Sequence, residues 1–74
     1  MEYSLLNKKV GENIKNLRTI EGFTQQDLAN KLNFTRGHLS CLEIGRNEIS
    51  LEHLYLLCKV FKCKITDILP ENVL

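Results

Sequence analysis

The stretch TQQDLANKLNFTRGHLSCLEIG, running from Thr24 to Gly45, decides the fold. Thr24 is a hydroxyl residue suited to cap a helix start, and Asp27 follows three positions later. The pair approximates a capping box, with Asp in place of Glu or Gln. A short helix is expected over Gln25 to Leu32, carrying Leu28, Ala29 and Leu32 inward. Asn33 tolerates the left-handed backbone that a tight turn demands. Phe34 leads into Thr35, a second N-cap, and another short helix is expected over Arg36 to Ile44, stopped by Gly45. Two short helices joined by a three- or four-residue turn make a helix-turn-helix arrangement.

The flanking sequence supplies the rest of a small bundle. Leu6, Val10, Ile14 and Leu17 recur at spacings of four, four and three, so a first helix is read from about Ser4 to Ile20, with Gly22 as its stop. After the loop Arg46–Ser50, Ser50 caps a helix from Leu51 to Phe61 whose buried stripe is read as Leu51, Leu54, Leu57 and Phe61. Ile65, Ile68 and Leu69 suggest a last helical turn closed by Pro70. Five helices in an all-α domain are therefore expected.

Composition limits the alternatives. Seventy-four residues hold one core, so residues 1–74 are read as a single domain. With 43% hydrophobic residues and only five Gly and Pro together, the chain is not of the disordered class. Ten basic residues face nine acidic ones, a formal net charge of +1, which excludes a basic nucleic-acid-coating protein and gives no membrane-surface attraction. The balance is even along the chain: four basic against three acidic residues through Gly22, then three against three in each of 23–50 and 51–74. No apolar run is long enough to span a bilayer and the N-terminus lacks a signal-peptide core, so a cytoplasmic protein is expected. Three cysteines, Cys41, Cys58 and Cys63, make a poor disulfide framework and fit a reducing compartment.

The Thr24–Gly45 stretch closely resembles the Cro/phage-repressor (XRE-type, lambda-repressor-like) helix-turn-helix family. The residues that match its pattern are Thr24, Gln25, Leu28, Ala29, Thr35, Leu39, Ser40, Leu42, Glu43 and Gly45. The resemblance continues through Ser50-Leu51 and Ile65–Leu69, and is strongest to stand-alone members: Cro-like repressors and restriction–modification controller proteins. It implies a regulator that binds pseudo-palindromic operator DNA as a homodimer. RNA polymerase is a further candidate partner; a membrane, a small-molecule ligand and a cofactor are not expected.

Rotation at 100° per residue tests that implication on the third helix. From Arg36, the residues Ser40, Ile44, Gly37 and Cys41 fall within an arc of ~140°. Leu39 and Leu42 must face the bundle, so Arg36, Gly37, Ser40 and Cys41 face outward, where a recognition helix reaches base edges in the major groove. Arg36 is the leading candidate for base readout, because its guanidinium can donate two parallel bonds to guanine O6 and N7, worth ~1–3 kcal/mol of discrimination. Its plainer role is a phosphate or solvent contact. Gly37 permits close backbone approach or is simply a helical glycine, and Cys41 packs on a thymine methyl or is a small outward hydrophobe. Ile44, usually polar in relatives, stands beside this face.

Gln25 and Thr35 sit at helix starts, which suit anions, and Arg46 and Asn47 lie in the following loop, giving four candidate phosphate contacts. The resemblance implies backbone contact for the matching Gln. It also implies an ion pair between Arg18 and Glu43, in keeping with the cost of an unpaired inward carboxylate. The dimer surface is expected in the region 57–74, at Phe61, Ile65, Ile68 and Leu69, with Val73 and Leu74 as additions; the competing role is closure of the monomer core.

His38 and Cys41 lie on different arcs of the third helix, neither His53 with Cys58 nor Cys58 with Cys63 has a recognised zinc spacing, and no catalytic set or Gly-rich phosphate loop is present, so no metal and no enzyme activity are expected. Two departures from the family pattern stand out. Ile49 occupies a position that often holds proline, and Lys62 occupies a usual glycine position, so a different local turn is expected there. The reading from another class is a protein-interaction bundle of antitoxin or antirepressor type, against which the polar outward face with Arg36 argues. A metal- or redox-responsive regulator would need accessible cysteines of depressed pKa.

Overall fold

Every α-helix of the structure, a computed structural model that describes residues 4–71, begins on a hydroxyl side chain. Ser4 caps α1 (Leu5–Ile20), Thr24 caps α2 (Gln25–Leu32), Thr35 caps α3 (Arg36–Glu43) and Ser50 caps α4 (Leu51–Phe61). In each case the hydroxyl accepts the backbone N–H three residues on, which satisfies a donor the helix leaves unpaired. At α2 the capping box is complete: Thr24 N–H donates to Asp27 Oδ2 and Asp27 N–H donates to Thr24 Oγ1, both at 3.0 Å. The bond from the Thr24 backbone N–H, with the Thr24 hydroxyl adding to it, holds the Asp27 carboxyl below its ordinary pKa.

The turns have the backbone their residues favour, with one exception. Asn33 takes the left-handed conformation (φ 58°, ψ 38°) between α2 and α3, and Phe34 N–H closes onto Ala29 O at 2.8 Å. Lys62 does the same after α4 (φ 52°, ψ 45°). The different turn expected from a lysine at this position is not found. The reason lies in the closing bonds, Lys62 N–H to Lys59 O at 3.3 Å and Cys63 N–H to Cys58 O at 3.0 Å, which require that geometry of whatever residue stands there.

The expected fifth helix is shorter than a helix. Among the described residues, four α-helices are followed by a single 3₁₀ turn, η1 (Ile65–Asp67), held by Ile68 N–H to Ile65 O at 3.1 Å. Pro70 explains the truncation, because its ring disfavours the helical region for Leu69 and it has no N–H to continue the ladder.

The core is built from Val10 and Ile14 of α1, Leu28, Ala29 and Leu32 of α2, Leu39 and Leu42 of α3, Leu54, Leu57 and Phe61 of α4, and Ile68. Two residues read from periodicity as part of buried stripes lie outside it: Leu51 is 82% exposed and Leu6 is 43% exposed. Both stand in the first turn of a helix, where the stripe runs off the end of the bundle. Asn13 ties α1 to the C-terminal turn, its Nδ2 donating to Ile68 O at 2.9 Å.

The crossing of α1 over α3 is closer than ordinary side chains permit. Gly11 is buried, and a Cβ there would run into the carbonyl oxygen of Leu42 and lie 2.5 Å from that of Glu43. Gly45, with φ +86°, lies against Lys8 in the same way, its Cβ position 2.6 Å from Lys8 Cα. These two glycines fix the depth at which α3 sits against α1. Among the described residues no helix is long and apolar enough to cross a membrane.

Candidate nucleic-acid interface

Helix α3 is short because both ends are defined locally, by the Thr35 cap and by the left-handed Gly45. Its inward face buries Leu39, Leu42 and Glu43. Opposite them, Arg36 and Gly37 are exposed, while Ser40 and Cys41 are half-buried, so the open end of the face is its N-terminal turn. No atom lies within 4 Å of the position a Cβ on Gly37 would take. Ile44, 54% exposed, extends the face with an apolar side chain.

Thr35 is exposed, and since its Oγ1 accepts from His38 N–H at 3.0 Å, its hydroxyl proton remains free to donate. Arg46 is exposed beyond α3, and Asn47 is half-buried beside it. Gln25, half-buried at the start of α2, is already engaged: its Nε2 donates to Glu43 Oε1 at 2.9 Å, and its Oε1 accepts a long bond of 3.5 Å from Arg36 Nη1. One Nε2 hydrogen is left over for an outside acceptor.

Arg18 and Glu43 meet beneath this face. Arg18 Nε donates to Glu43 Oε2 at 2.6 Å and Nη2 to Oε1 at 3.3 Å, while Nη1 reaches Phe23 O at 2.8 Å. The chain Arg18–Glu43–Gln25–Arg36 thus runs from a guanidinium under the bundle surface to one at the open end of α3. The link through Gln25 is invisible to sequence spacing. Its residues are 18 and 11 positions apart along the chain, and nothing but the packing angle of α2 on α3 brings them together.

A second contact set was also not foreseen. Phe34 stacks on His38 with centroids 4.1 Å apart and meets His53 at 4.5 Å, while Ser50 Oγ lies 2.7 Å from His53 Nδ1. This joins the turn before α3 to the start of α4. Gly11 escaped notice as well; its signal was a glycine inside a helix, adjoining the buried positions Val10 and Ile14.

The residues expected at a dimer surface divide. Phe61 (5% exposed) and Ile68 (0%) are enclosed within the protomer, because they close the core between α4 and η1, and they are unavailable to a second copy. Ile65 is exposed and Leu69 half-buried. Leu69 lines a cleft of about 320 Å³ together with Leu6, Ile49, Leu51 and Leu54. Val73 and Leu74 lie outside the described residues.

The three cysteines are free thiols, each half-buried. Burial first, and the neighbouring Cys58 second, push the Cys63 thiol up to about 11. That is the opposite of a reactive thiolate. Among the described residues, no three His, Cys, Asp or Glu side chains are placed to hold a metal ion.

Two capped short helices at a left-handed asparagine turn, the second presenting an open polar face and backed by a buried ion pair, define a helix-turn-helix protein. The family profile described as Helix-turn-helix matches residues 14–68, and the chain belongs to that family. It is 33% identical over 63 residues to Antitoxin PezA of Streptococcus pneumoniae, a match that covers 85% of this chain and 40% of PezA. Among solved structures it resembles the clp gene regulator ClgR from Corynebacterium glutamicum, with a TM-score of 0.81 and 31% identity over 90% of this chain and 71% of ClgR. It also resembles a mutant of the restriction-modification controller protein C.Esp1396I, with a TM-score of 0.74 and 33% identity over 85% of this chain and 80% of that one. The chain thus spans less than half the length of the antitoxin relative and most of the length of the two regulators.

Proposed function

We propose that this domain binds pseudo-palindromic operator DNA as a symmetric homodimer and regulates transcription. The observation that carries the reading is the division of α3: Leu39, Leu42 and Glu43 are buried, and Arg36 and Gly37 are exposed at its N-terminal turn. A recognition helix meets base edges with its N-terminal residues. Arg36 reads a guanine, Gly37 allows the backbone to approach, and Ser40 and Cys41 fill the deeper part of the contact. Thr35, Arg46, Asn47 and the spare Nε2 hydrogen of Gln25 bind phosphates on either side. Two such helices in a dimer stand about 34–36 Å apart, one duplex turn.

Ile65 and Leu69, with the adjoining cleft, are the apolar surface this reading assigns to the second copy. Ile65→Lys or Leu69→Lys should leave the fold intact, abolish the dimer in sedimentation equilibrium, and weaken binding to a palindrome far more than to a half-site. The position of the operator relative to a promoter, and any contact with RNA polymerase, then decide between repression and activation.

The test is selection of bound sequences from random duplex DNA, followed by a salt titration on the winner. An enriched palindrome with a shallow salt slope is expected, since Arg36 and Arg46 are the basic groups near the face and Arg18 is occupied by Glu43. The likeness to Antitoxin PezA favours one other reading, in which the apolar cleft receives a protein partner and DNA is incidental. Failure to enrich any palindrome, or binding indifferent to salt, would decide for it.

A further inference from the structure

We infer that Cys58 and Cys63 form a dithiol site at the C-terminus of α4, which closes to an intramolecular disulfide by exchange with a small anionic disulfide of the glutathione class. The inference goes beyond the operator reading and does not depend on it.

Helix α4 ends in a double closure around the left-handed Lys62: Cys63 N–H donates to Cys58 O at 3.0 Å and Lys62 N–H to Lys59 O at 3.3 Å. This is the Schellman arrangement, in which the residues at the two ends of the outer bond bring their side chains together. That contact is ordinarily between apolar groups, and here it sets thiol against thiol. The bond of 3.0 Å and standard covalent dimensions hold the two Cα atoms within about 7 Å. A disulfide takes Cα atoms at roughly 4.4–6.8 Å, so the turn as it stands brings the pair to bridging range. Each thiol is half-buried, packed on the core along one side and open along the other. Lys59, Lys62 and Lys64 are exposed beside the pair, with Asp67 the opposing charge, which favours the approach of an anionic reagent.

The two thiols have unequal tasks. Burial, and after it the neighbouring Cys58, hold the proton of Cys63 up to about 11, so its thiolate is scarce at neutral pH and Cys58 is the first to react. The Cys58 thiolate attacks one sulfur of the reagent, forming a mixed disulfide and releasing one glutathione thiolate. Cys63 then gives its proton to water and attacks Cys58 Sγ; the bond to glutathione breaks, and a second glutathione thiolate leaves. The two cysteines are oxidised, and the reagent is reduced to two thiols. The new bond spans Lys62, and so pins the turn from which Ile65 and Leu69 depart.

The experiment equilibrates the full chain with mixtures of reduced and oxidised glutathione at pH 7, folded and in urea, then quenches with acid, alkylates and maps the products by mass spectrometry. Trypsin cuts after Lys59 and Lys62 and so separates the two cysteines, which makes the bridge visible as a linked peptide pair. The Cys58–Cys63 bridge is expected to exceed the mixed disulfides by at least about tenfold in the folded protein, and to form there with an equilibrium constant at least about tenfold larger than in urea. By linkage, the oxidised chain should unfold at a higher urea concentration than the reduced one. Cys63→Ser should retain glutathione on Cys58, and Cys58→Ser should take up little on Cys63.

Equal constants in the folded and unfolded chain would mean that the turn does not hold the thiols for closure, and would overturn the proposal. So would a mixed disulfide that persists in wild type, a bridge to Cys41 in place of the Cys58–Cys63 link, or an oxidised chain less resistant to urea than the reduced one. Equal uptake on Cys63 in Cys58→Ser overturns the assigned order of reaction.

Discussion

Arg18 of α1 holds Glu43 of α3 through two N–H groups, Nε to Oε2 at 2.6 Å and Nη2 to Oε1 at 3.3 Å, with the Glu43 side chain 1% exposed and that of Arg18 12% exposed. A carboxylate so enclosed has lost its water, and its stability depends on the partners that replace it. Arg18 and Gln25 supply three hydrogen bonds between them, and no buried side-chain nitrogen or oxygen among the described residues lacks a partner. The pair joins the first helix to the recognition helix from beneath, where Gly11 lets the two backbones approach.

Breaking that pair from either side should be costly. Glu43→Ala leaves the Arg18 guanidinium half-satisfied under the surface, and a loss of about 3–5 kcal/mol is expected, enough to unfold much of a domain this size. Arg18→Met with Glu43→Leu together should cost less than either change alone, because no buried charge is then stranded. The control is Glu12, whose exposed pairing with Lys9 at 3.6 Å should contribute no more than about 0.5 kcal/mol. Urea unfolding of wild type, the single variants and the double variant checks the order. Equal destabilisation by Glu43→Ala and Glu12→Ala would contradict it.

What the sequence made legible was local. Hydroxyl caps at 24, 35 and 50, the left-handed Asn33 and the inward Leu39 and Leu42 are consequences of side-chain chemistry within a few residues, and each is readable without knowing the neighbours. Misreadings arose where a residue answers to something distant. Phe61 and Ile68 are open to two roles in the sequence, a dimer surface and closure of the core, because the C-terminal turn has no assigned partner there; in the structure Ile68 packs into the core and its carbonyl is held by Asn13, 55 positions earlier. Leu51 fits the apolar period of α4 but lies past the end of the helices it would have packed against. In the site, Arg36 and Thr35 were visible as residue types at helix positions, whereas the Gln25 link depends on an interhelical angle that no spacing encodes.

Two glycines in helices should respond in opposite ways to the same change. Gly11→Ala puts a methyl group against the carbonyls of Leu42 and Glu43, where backbone must move, and a loss of about 1–3 kcal/mol or more is expected. Gly37→Ala meets open space and gains helix propensity, so a rise in stability of about 0.5–1 kcal/mol is expected. Thermal unfolding measures both. Because Gly37→Ala strengthens the fold, any fall in operator affinity it causes belongs to the interface. A destabilised Gly37→Ala would show that α3 does not have the geometry described.

Lys62 carries the cost of a left-handed backbone without the freedom of glycine. Its φ of 52° is favoured neither by a side-chain hydrogen bond nor by a short polar group such as that of Asn33. Lys62→Gly removes a strain of about 1–2 kcal/mol and adds back roughly half of it as unfolded-state entropy, so a net gain of up to about 1 kcal/mol is expected. Lys62→Val should lose stability, because a β-branched side chain tolerates that conformation least. If glycine and valine gave the same unfolding midpoint, the turn would not have the conformation assigned to it.

Cys63 makes the fold sensitive to alkali, and the sign follows from its raised pKa. In the unfolded chain a thiol ionises near pH 8.5–9, while in the folded protein burial and Cys58 hold the proton to about 11. Below the unfolded value both states carry the proton and pH has no leverage. Between the two values the unfolded state releases its proton and the folded state does not, so stability falls as pH rises and the loss is complete above about 11. Lysine and tyrosine titrate in the same range, so the diagnostic quantity is the difference between wild type and Cys63→Ala, which lacks the titrating group. The two unfolding curves should run parallel up to about pH 8.5 and converge above it, with wild type declining faster. Iodoacetamide should likewise modify Cys63 far more slowly in the folded protein at pH 8 than in urea, since the thiolate is the nucleophile. Parallel curves throughout the alkaline range would mean that the folded thiol ionises like the unfolded one, and that its burial does not restrain it.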